Sequence, residues 1–268
     1  MKTAPGIDLT TVQHVYGGAE GDLWELIMGQ QIHVGGFVSS MDLAEKAGVG
    51  EGMRGVDLCC CNGAGMRFLI RFRKAGHVTG VDATAAVLER ARARCAGEGM
   101  AERTALVEAD ACATGLPGGS MDFVWGEDAW CYVADKAALI REAARLAKPG
   151  GAVAFTDWVE GPGGLTEEEA ARFMGFMKFP TLASMEDYRG LLEASGLDVE
   201  RVEDTGRYAP CMDLYIRMLT EQLTSDALRI IGYDMELMGG LGGEMQFIQG
   251  LARAGKVVQG LFVARRPS

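Results

Sequence analysis

One short stretch constrains the fold of this chain more than any other part of it. An apolar run ends in Asp57, a loop of small residues follows, and a second apolar run ends in Asp82. The loop holds three consecutive cysteines, 59–61, and then Gly63 and Gly65. This pattern predicts a buried strand, a tight turn, a helix and a second strand with an acidic residue at its end. Parallel sheets build nucleoside-cofactor sites from this arrangement.

The same alternation of strand and helix continues beyond this stretch. Helices are expected at 65–75, 84–96 and 135–147, and the strands at 55–60, 77–82, 104–108, 121–126, 152–156, 197–203 and 257–264. Strands that alternate with helices indicate a parallel sheet that is covered on both faces. The prediction is an α/β protein with a Rossmann-like, doubly wound, mostly parallel sheet of seven strands.

Two regions depart from this rhythm. Residues 1–50 show no strand alternation and are expected to form a helical N-terminal cap. Residues 51–268 are assigned to the α/β domain, with a helical insertion at about 208–256 between its last two strands. The insertion is expected to form a lid over a pocket, and the glycines within 239–243 predict a break in its helical structure.

Charge and hydropathy exclude some classes of partner. The net charge is -11 and the isoelectric point about 4.9, so the surface repels phosphate backbones and nucleic acid is not expected as a partner. The apolar runs are too short to span a bilayer, and the chain opens without a secretion leader, so a cytoplasmic protein without membrane association is expected.

The chain contains 7 cysteines, an odd number. Without a secretion leader this number predicts free thiols in a reducing compartment. Adjacent residues of a strand point to opposite faces, so the three cysteines at 59–61 cannot converge on one metal ion, and no metal site is expected. We expect these thiols to be packed and unreactive, since a reactive cysteine needs an electropositive, partly exposed environment.

Five motifs, in order over roughly residues 40–160, resemble those of the class I S-adenosylmethionine-dependent methyltransferases. The loop at 57–65 is similar to the family's first motif, Asp-Leu-Gly-Cys-Gly-x-Gly. Asp82 matches the acidic residue that holds the ribose in that family. Asp110 matches the residue that faces the adenine amino group. Residues 125–129 match the motif after the fourth strand, and 146–151 match the helix end before the fifth.

The resemblance implies S-adenosylmethionine as the cofactor and a small molecule as the methyl acceptor. The cofactor-binding residues that it implies are Asp57, Cys59, Cys61, Gly63, Gly65, Asp82, Ala83, Asp110, Ala111 and Glu127. The departure from the family pattern is Cys59 and Cys61 in place of glycine. Cysteine carries a Cβ, so either the loop keeps ordinary backbone angles or it holds the methionine part of the cofactor slightly farther away.

Three shorter segments are similar to the methyltransferases that act on glycine, sarcosine or dimethylglycine. They are Ile-His-Val-Gly at 32–35, Asp-Ala-Trp at 128–130 and Thr-Asp at 156–157. This second resemblance implies an amine acceptor, and it nominates His33, Trp130 and Asp157 as catalytic residues. His33 is open to two further interpretations, as a ligand of the cofactor's carboxylate or as a helix cap. For a hydroxyl acceptor, His33 is the nominated base.

Several alternatives stay open at this point. The acceptor atom of a natural product could be oxygen or carbon, and the fold could serve a protein that binds the cofactor without catalysis. An oxidoreductase with a dinucleotide is disfavoured by Cys59 and Cys61 and by the acidic residues after the third and fourth strands. Exposed apolar residues in the helical insertion leave a homodimer open.

Overall fold

A twisted sheet of seven strands forms the centre of the molecule. The structure is a computed structural model that describes all residues, 1–268. The strands in chain order are β1 (Lys2–Thr3), β2 (Arg54–Leu58), β3 (His77–Asp82), β4 (Thr104–Glu108), β5 (Met121–Glu127), β6 (Ala147–Glu160), β7 (Thr181–Leu182), β8 (Asp198–Asp204) and β9 (Val257–Arg265). The order across the sheet is β4-β3-β2-β5-β6-β9-β8. β9 runs antiparallel to the other six strands, which are parallel to one another, so the predicted fold class is confirmed.

Eleven α-helices surround this sheet and a second, small sheet formed by β1 and β7. They are α1 (Leu9–Gly17), α2 (Ala19–Met28), α3 (Gly36–Lys46), α4 (Ala64–Phe72), α5 (Ala85–Gly97), α6 (Lys136–Leu146), α7 (Glu167–Met177), α8 (Met185–Ala194), α9 (Tyr208–Glu221), α10 (Thr224–Ile230) and α11 (Met235–Arg253). The Asp135 side chain accepts from the Ala138 amide and begins α6, and a capping box of Thr166 and Glu169 begins α7. None of these helices is long and apolar enough to cross a membrane.

The apolar strands bury both faces of the large sheet. On one face Phe155 stacks between Trp130 and Phe262, with ring centroids 4.1 and 4.5 Å apart. On the other face Leu69 of α4 and Phe123 of β5 belong to a second apolar core. A third core joins the cap to the helical insertion and lies among α2, α7, α9 and α11. Burial on both faces explains why the strands read as continuous apolar runs.

Strand β6 is longer than the predicted 152–156. It runs over Ala147–Glu160 because Asp157, Trp158 and Val159 continue to pair with the antiparallel strand β9. The N-terminal cap is helical as expected, and it adds one feature that the pattern did not predict. Its first residues form β1, which pairs with β7 in a separate two-stranded sheet.

The predicted break at 239–243 is wrong. Helix α11 runs unbroken through its glycines. Met245 and Ile248 recur at helical spacing and are buried in the third core, together with residues of α2 and α9. Each glycine weakens an exposed helix by about 1 kcal/mol, and packing of the apolar face of α11 outweighs that loss.

The unbroken helix makes a testable prediction. A Cβ at Gly240 meets no atom within 4 Å, and the residue is exposed. Gly240→Ala should therefore raise the free energy of unfolding by about 0.5–1 kcal/mol, as urea titration would measure. The contrasting variant is Gly55→Ala, whose Cβ would lie 2.1 Å from the Phe123 ring and should destabilise the protein. A loss of stability in Gly240→Ala would contradict the helix.

Candidate active site

A cavity of about 420 Å³ lies at the carboxyl ends of β2, β3, β4 and β5. Here the strand order changes direction, since β3 and β5 lie on opposite sides of β2. Open α/β sheets bind their ligands at such a point. Residues of α1 and the segment 30–33 also line the cavity, but no residue of 208–256 does. The wall away from the sheet is therefore built by the N-terminal cap and not by the helical insertion.

The cysteine loop keeps a backbone conformation that glycine would adopt more easily. Cys59 has φ 63° and Cys61 has φ 46°, both in the left-handed region. The expectation that the loop keeps ordinary backbone angles at Cys59 and Cys61 is therefore wrong. Two hydrogen bonds fix the loop against the next strand: the Cys60 amide donates to the Val81 carbonyl at 3.0 Å, and the Cys61 amide donates to the Asp82 carboxylate at 2.9 Å. The left-handed region costs about 1–2 kcal/mol per residue with a Cβ.

The three loop thiols are poor nucleophiles. Burial raises the pKa of Cys59 and Cys60 far above the ordinary thiol value, and it raises the pKa of Cys61 to about 12. The nearby Asp82 carboxylate raises all three further. Because the thiolate is the reactive form, these cysteines act as small packing residues.

Asp57 lies under the loop with its carboxylate facing the cavity. The residue is 4% exposed, and no protein group donates a hydrogen bond to its side chain. Burial raises its pKa strongly, and the charges of Glu127 and Asp82 raise it further. A Cβ at Gly65 would lie 2.7 Å from this carboxylate, so the glycine keeps space for Asp57. Asp57 is a buried acceptor that lacks a protein donor.

Asp82 ends β3 and also faces the cavity. Its carboxylate accepts from the amides of Cys61 and Thr84, each at 2.9 Å. Burial raises the pKa of Asp82, while these hydrogen bonds act in the opposite direction. The neighbouring Ala83 carbonyl accepts from the Gln13 side chain at 2.6 Å, which ties α1 to this wall. Carboxylate lone pairs that remain are available to hydroxyl groups of a ligand.

Asp110 and Ala111 follow β4 and line the same cavity. The Asp110 carboxylate accepts from the Cys112 amide at 2.8 Å, which fixes the turn after the strand. Ala111 is buried. The two residues therefore form one wall beside the end of β3, as the parallel pairing of β3 with β4 requires.

Glu127 is held rigidly at the end of β5. It accepts from the Trp125 indole at 3.0 Å and from the Ser40 hydroxyl at 2.8 Å. His33 Nε2 lies 3.2 Å from Ser40 Oγ and 3.4 Å from the Glu127 carboxylate. Since the one Ser40 proton is donated to Glu127, the Nε2–H must be the donor in its contact with Ser40. His33 Nδ1 lies 3.5 Å from the Val34 carbonyl, which is also an acceptor, so neither ring nitrogen faces a protein donor.

Two tyrosines meet on another wall of the cavity. The hydroxyls of Tyr16 and Tyr132 lie 2.7 Å apart, and the ring centroids are 5.2 Å apart in an edge-on arrangement. Burial raises the pKa of both far above the ordinary phenol value. Both stay protonated at neutral pH and can donate or accept hydrogen bonds.

Sequence comparisons agree with this architecture. A family model described as a methyltransferase domain matches residues 56–155. The 27-O-demethylrifamycin SV methyltransferase of Amycolatopsis mediterranei (strain S699) is 30% identical over 207 residues, which are 71% of this chain and 75% of that relative. This chain belongs to the S-adenosylmethionine-dependent methyltransferases.

Two further comparisons bear on the methyltransferase. The dimethylglycine N-methyltransferase of Parasynechococcus marenigrum (strain WH8102) is 30% identical over 163 residues, 60% of this chain and 56% of the relative. A solved structure of Haemonchus contortus phosphoethanolamine N-methyltransferase 2, with phosphomonomethylethanolamine and S-adenosylhomocysteine, superimposes with a TM-score of 0.84 at 22% identity. It covers 96% of this chain and 59% of that one. At this identity the superposition supports the fold.

The cavity suits the charge of S-adenosylmethionine. The cofactor carries a sulfonium, an ammonium and a carboxylate group, so its net charge is positive, and six acidic residues but no Lys or Arg line the cavity. Asp57, which lacks a protein donor, and Asp82 are two of these acidic residues. The acidic lining therefore matches the net positive charge of this cofactor.

Ten of the thirteen predicted site residues line the cavity. They are His33, Asp57, Cys59, Cys61, Gly65, Asp82, Ala83, Asp110, Ala111 and Glu127. Gly63 does not line it; with φ 74° it begins α4 instead.

Trp130 and Asp157 lie outside the cavity, in the core. The Trp130 indole donates to the Leu58 carbonyl at 3.3 Å. Asp157 is fully buried and accepts from the Cys131 amide at 3.0 Å and from the Tyr188 hydroxyl. Burial raises the pKa of Asp157 to about 6, against the lowering effect of Lys136. Both side chains hold the turn at 130–132, and their placement lends no support to a direct role in catalysis.

Sequence reasoning did not nominate several residues that the structure brings to the cavity. Tyr132 lies two residues after Trp130, in the turn that follows β5. Including the whole of this turn among the candidate residues would have identified it. Gln30 and Asn62 are less accessible to such reasoning. The side-chain amide of Asn62 donates to the main-chain carbonyl of Gln30 at 3.1 Å. The two residues are 32 positions apart in the sequence, so no local pattern indicates this contact.

The role of Asp82 can be tested directly. Asp82→Ala removes the acceptor for ribose hydroxyls and should raise the Kd for S-adenosylmethionine roughly tenfold to a hundredfold, about 1.5–3 kcal/mol. Calorimetry would measure it, and Asp82→Asn, which keeps one oxygen acceptor, should lose less. Circular dichroism would check that the variant protein is folded although the Cys61 amide has lost its acceptor. An unchanged Kd in a folded Asp82→Ala protein would refute the assignment.

The strained cysteine makes a second prediction. Cys61→Gly relieves the left-handed backbone and should raise the free energy of unfolding by about 0.5–1 kcal/mol in urea titrations. Cys60 lies next to it and is buried, without a positive φ. Cys60→Gly should therefore destabilise the protein, since it gains no relief and loses packing. If both variants lost the same stability, the strain at Cys61 would be ruled out.

Proposed function

We propose that this methyltransferase transfers a methyl group to a hydroxyl oxygen of a small molecule with a largely apolar framework. The observation that carries the proposal is the absence of Lys and Arg from the cavity lining. In S-adenosylmethionine the ammonium and sulfonium groups outweigh the one carboxylate, whereas a carboxylate or phosphate on the acceptor would add negative charge to an acidic, partly buried space, which is costly. A neutral hydroxyl compound avoids that cost.

The apolar part of the lining supports the same acceptor class. Leu9, Val12 and Ile32 from the N-terminal cap line the cavity together with Val133 and Ala138. Such walls bind a hydrocarbon or aromatic framework, and a few polar groups then orient it. The similarity to an enzyme named 27-O-demethylrifamycin SV methyltransferase adds weight to an oxygen acceptor.

The residues suggest a division of roles. When bound, S-adenosylmethionine supplies an electrophilic methyl group, so the protein must mainly align the acceptor and exclude water. Tyr16 and Tyr132 would orient the acceptor through their hydrogen-bonded hydroxyls. His33 would take the hydroxyl proton, and both nitrogens of the protonated ring could then donate, one to the Val34 carbonyl and one toward Ser40 and Glu127. Glu127 would hold the imidazole and stabilise its protonated form.

An amine acceptor is the second candidate, because the six acidic residues of the lining attract ammonium compounds. The similarity to a protein named dimethylglycine N-methyltransferase also favours it. Two considerations weaken it for a sarcosine-like or dimethylglycine-like acceptor. The amine must lose its proton before it attacks, which the carboxylates oppose, and its own carboxylate finds no cation in the lining.

A matched acceptor panel tests the proposal. Purified protein and S-adenosylmethionine would be incubated with naphthol, aminonaphthalene, sarcosine and dimethylglycine, and with hydroxylated polyketide-type rings. Mass spectrometry would detect the gain of one methyl group. We expect methylation of hydroxyl compounds and none of sarcosine or dimethylglycine. Methylation of the two carboxylated amines, with the hydroxyl compounds unchanged, would overturn the oxygen acceptor in favour of the amine.

A variant of His33 tests the proposed base. His33→Gln should lower kcat with a hydroxyl acceptor by roughly 10²–10⁴-fold, the usual contribution of a general base, with little change in the Kd for the cofactor. His14→Gln is the matched control, since His14 is an exposed residue of α1. A raised Kd for S-adenosylmethionine with unchanged kcat would instead assign His33 to cofactor binding.

A further inference from the structure

A second cavity, of about 300 Å³, lies between α2 and the helical insertion. We name it the helical cavity; its walls include Trp24 and Ile27 of α2, Leu219 of α9, and Leu241 and Met245 of α11. It shares no lining residue with the cavity at the sheet edge. The helical insertion thus encloses a space of its own, which methyl transfer at the sheet edge does not use.

The polar groups of the helical cavity are few, and most are already satisfied. The Thr220 hydroxyl donates to the Ile216 carbonyl at 3.1 Å, and the Thr224 hydroxyl donates to the Leu219 carbonyl. Glu20 is the one charged side chain of the lining. The rest of the wall is mainly hydrocarbon, so a ligand of this space needs a largely apolar body.

Glu20 has no partner within the protein. Its carboxylate forms no hydrogen bond and no ion pair, although it is only partly exposed. Burial raises its pKa, and the more distant charges of Lys178 and His14 lower it. A carboxylate at the edge of an apolar space favours a cation, disfavours an anion and gains little from a neutral alcohol.

We propose that the helical cavity is a second binding site, for a small apolar amine whose ammonium group pairs with Glu20 and whose hydrocarbon part lies among Trp24, Leu241 and Met245. The wall at Gly242 has room for such a body. A Cβ built on Gly242 meets no atom within 4 Å, and the residue lies in the lining of the cavity. The size of the cavity restricts the ligand to a compact chain or ring.

Three probes of equal length separate charge from hydrophobicity. Octylammonium, octanol and octanoate would be titrated into the full chain at pH 7, with tryptophan fluorescence or calorimetry as the readout. We expect octylammonium to bind roughly threefold to fivefold more tightly than octanol, as a partly exposed ion pair allows, and octanoate to bind more weakly than both. Glu20→Gln should remove this preference and keep the octanol affinity. Equal or tighter binding of octanoate to the unaltered protein would overturn the proposal.

Variants that fill the space locate the site. Gly242→Leu should abolish binding of octylammonium, and Ala227→Leu, which enters the same space from α10, provides an independent filling variant. Gly243→Ala is the matched control on the next, exposed residue of α11 and should bind the probe as before. Calorimetry with S-adenosylmethionine verifies that each variant is folded, since the sheet-edge cavity is separate. Undiminished octylammonium binding in both folded filling variants would place the site elsewhere and refute the inference.

Discussion

The active site depends on the carboxylate at the end of β3. Asp82 accepts from the amide of Cys61 in the loop after β2 and from the amide of Thr84 at the beginning of α5. These bonds join two neighbouring strand ends and hold the loop in a left-handed conformation despite its cysteines. Hydrogen bonds from amides to a carboxylate are stronger than those between neutral groups, so they hold the loop and β3 together, and this attachment offsets the backbone strain. The shape of the cofactor wall follows from this one group.

The sequence was sufficient to predict the sheet and most of the cavity wall that its strand ends form. The alternation of strands and helices and the composition of the loops are local signals. Strand β2, the loop at 57–65 and Asp82 lie within 30 residues of one another. Helix α11 shows the limit of local signals. Its glycines at 239–243 predict a break when they are considered alone, but burial of Met245 and Ile248 against other helices decides the outcome. Propensity is a weak prior once a helix has a packed face.

Two other features were beyond sequence reasoning for different physical reasons. Trp130 follows the end of β5 and Asp157 lies within β6, and their positions in the chain do not reveal that both side chains turn into the core. The wall contributed by the N-terminal cap depends on contacts between distant segments. Tyr16 meets Tyr132 across 116 residues, and no periodic pattern encodes such a pair. Sequence therefore located the groups carried by the sheet better than those carried by the cap.

The segment that contains His33 is anchored by Asp128, from the middle of the chain, and by Gln259, from the last strand. The Val34 amide donates to the Asp128 carboxylate at 2.7 Å, and the Gln259 side chain donates to the Val34 carbonyl and to Asp128 at about 3 Å. Gln259 is fully buried in β9, which lies between β6 and β8. During translation, the cofactor loop and His33 are made early, yet the anchor is missing until β9 leaves the ribosome. A nascent chain without its last strand has the parts of the site and the Asp128 contact, but it lacks the Gln259 side chain that bonds both Val34 and Asp128.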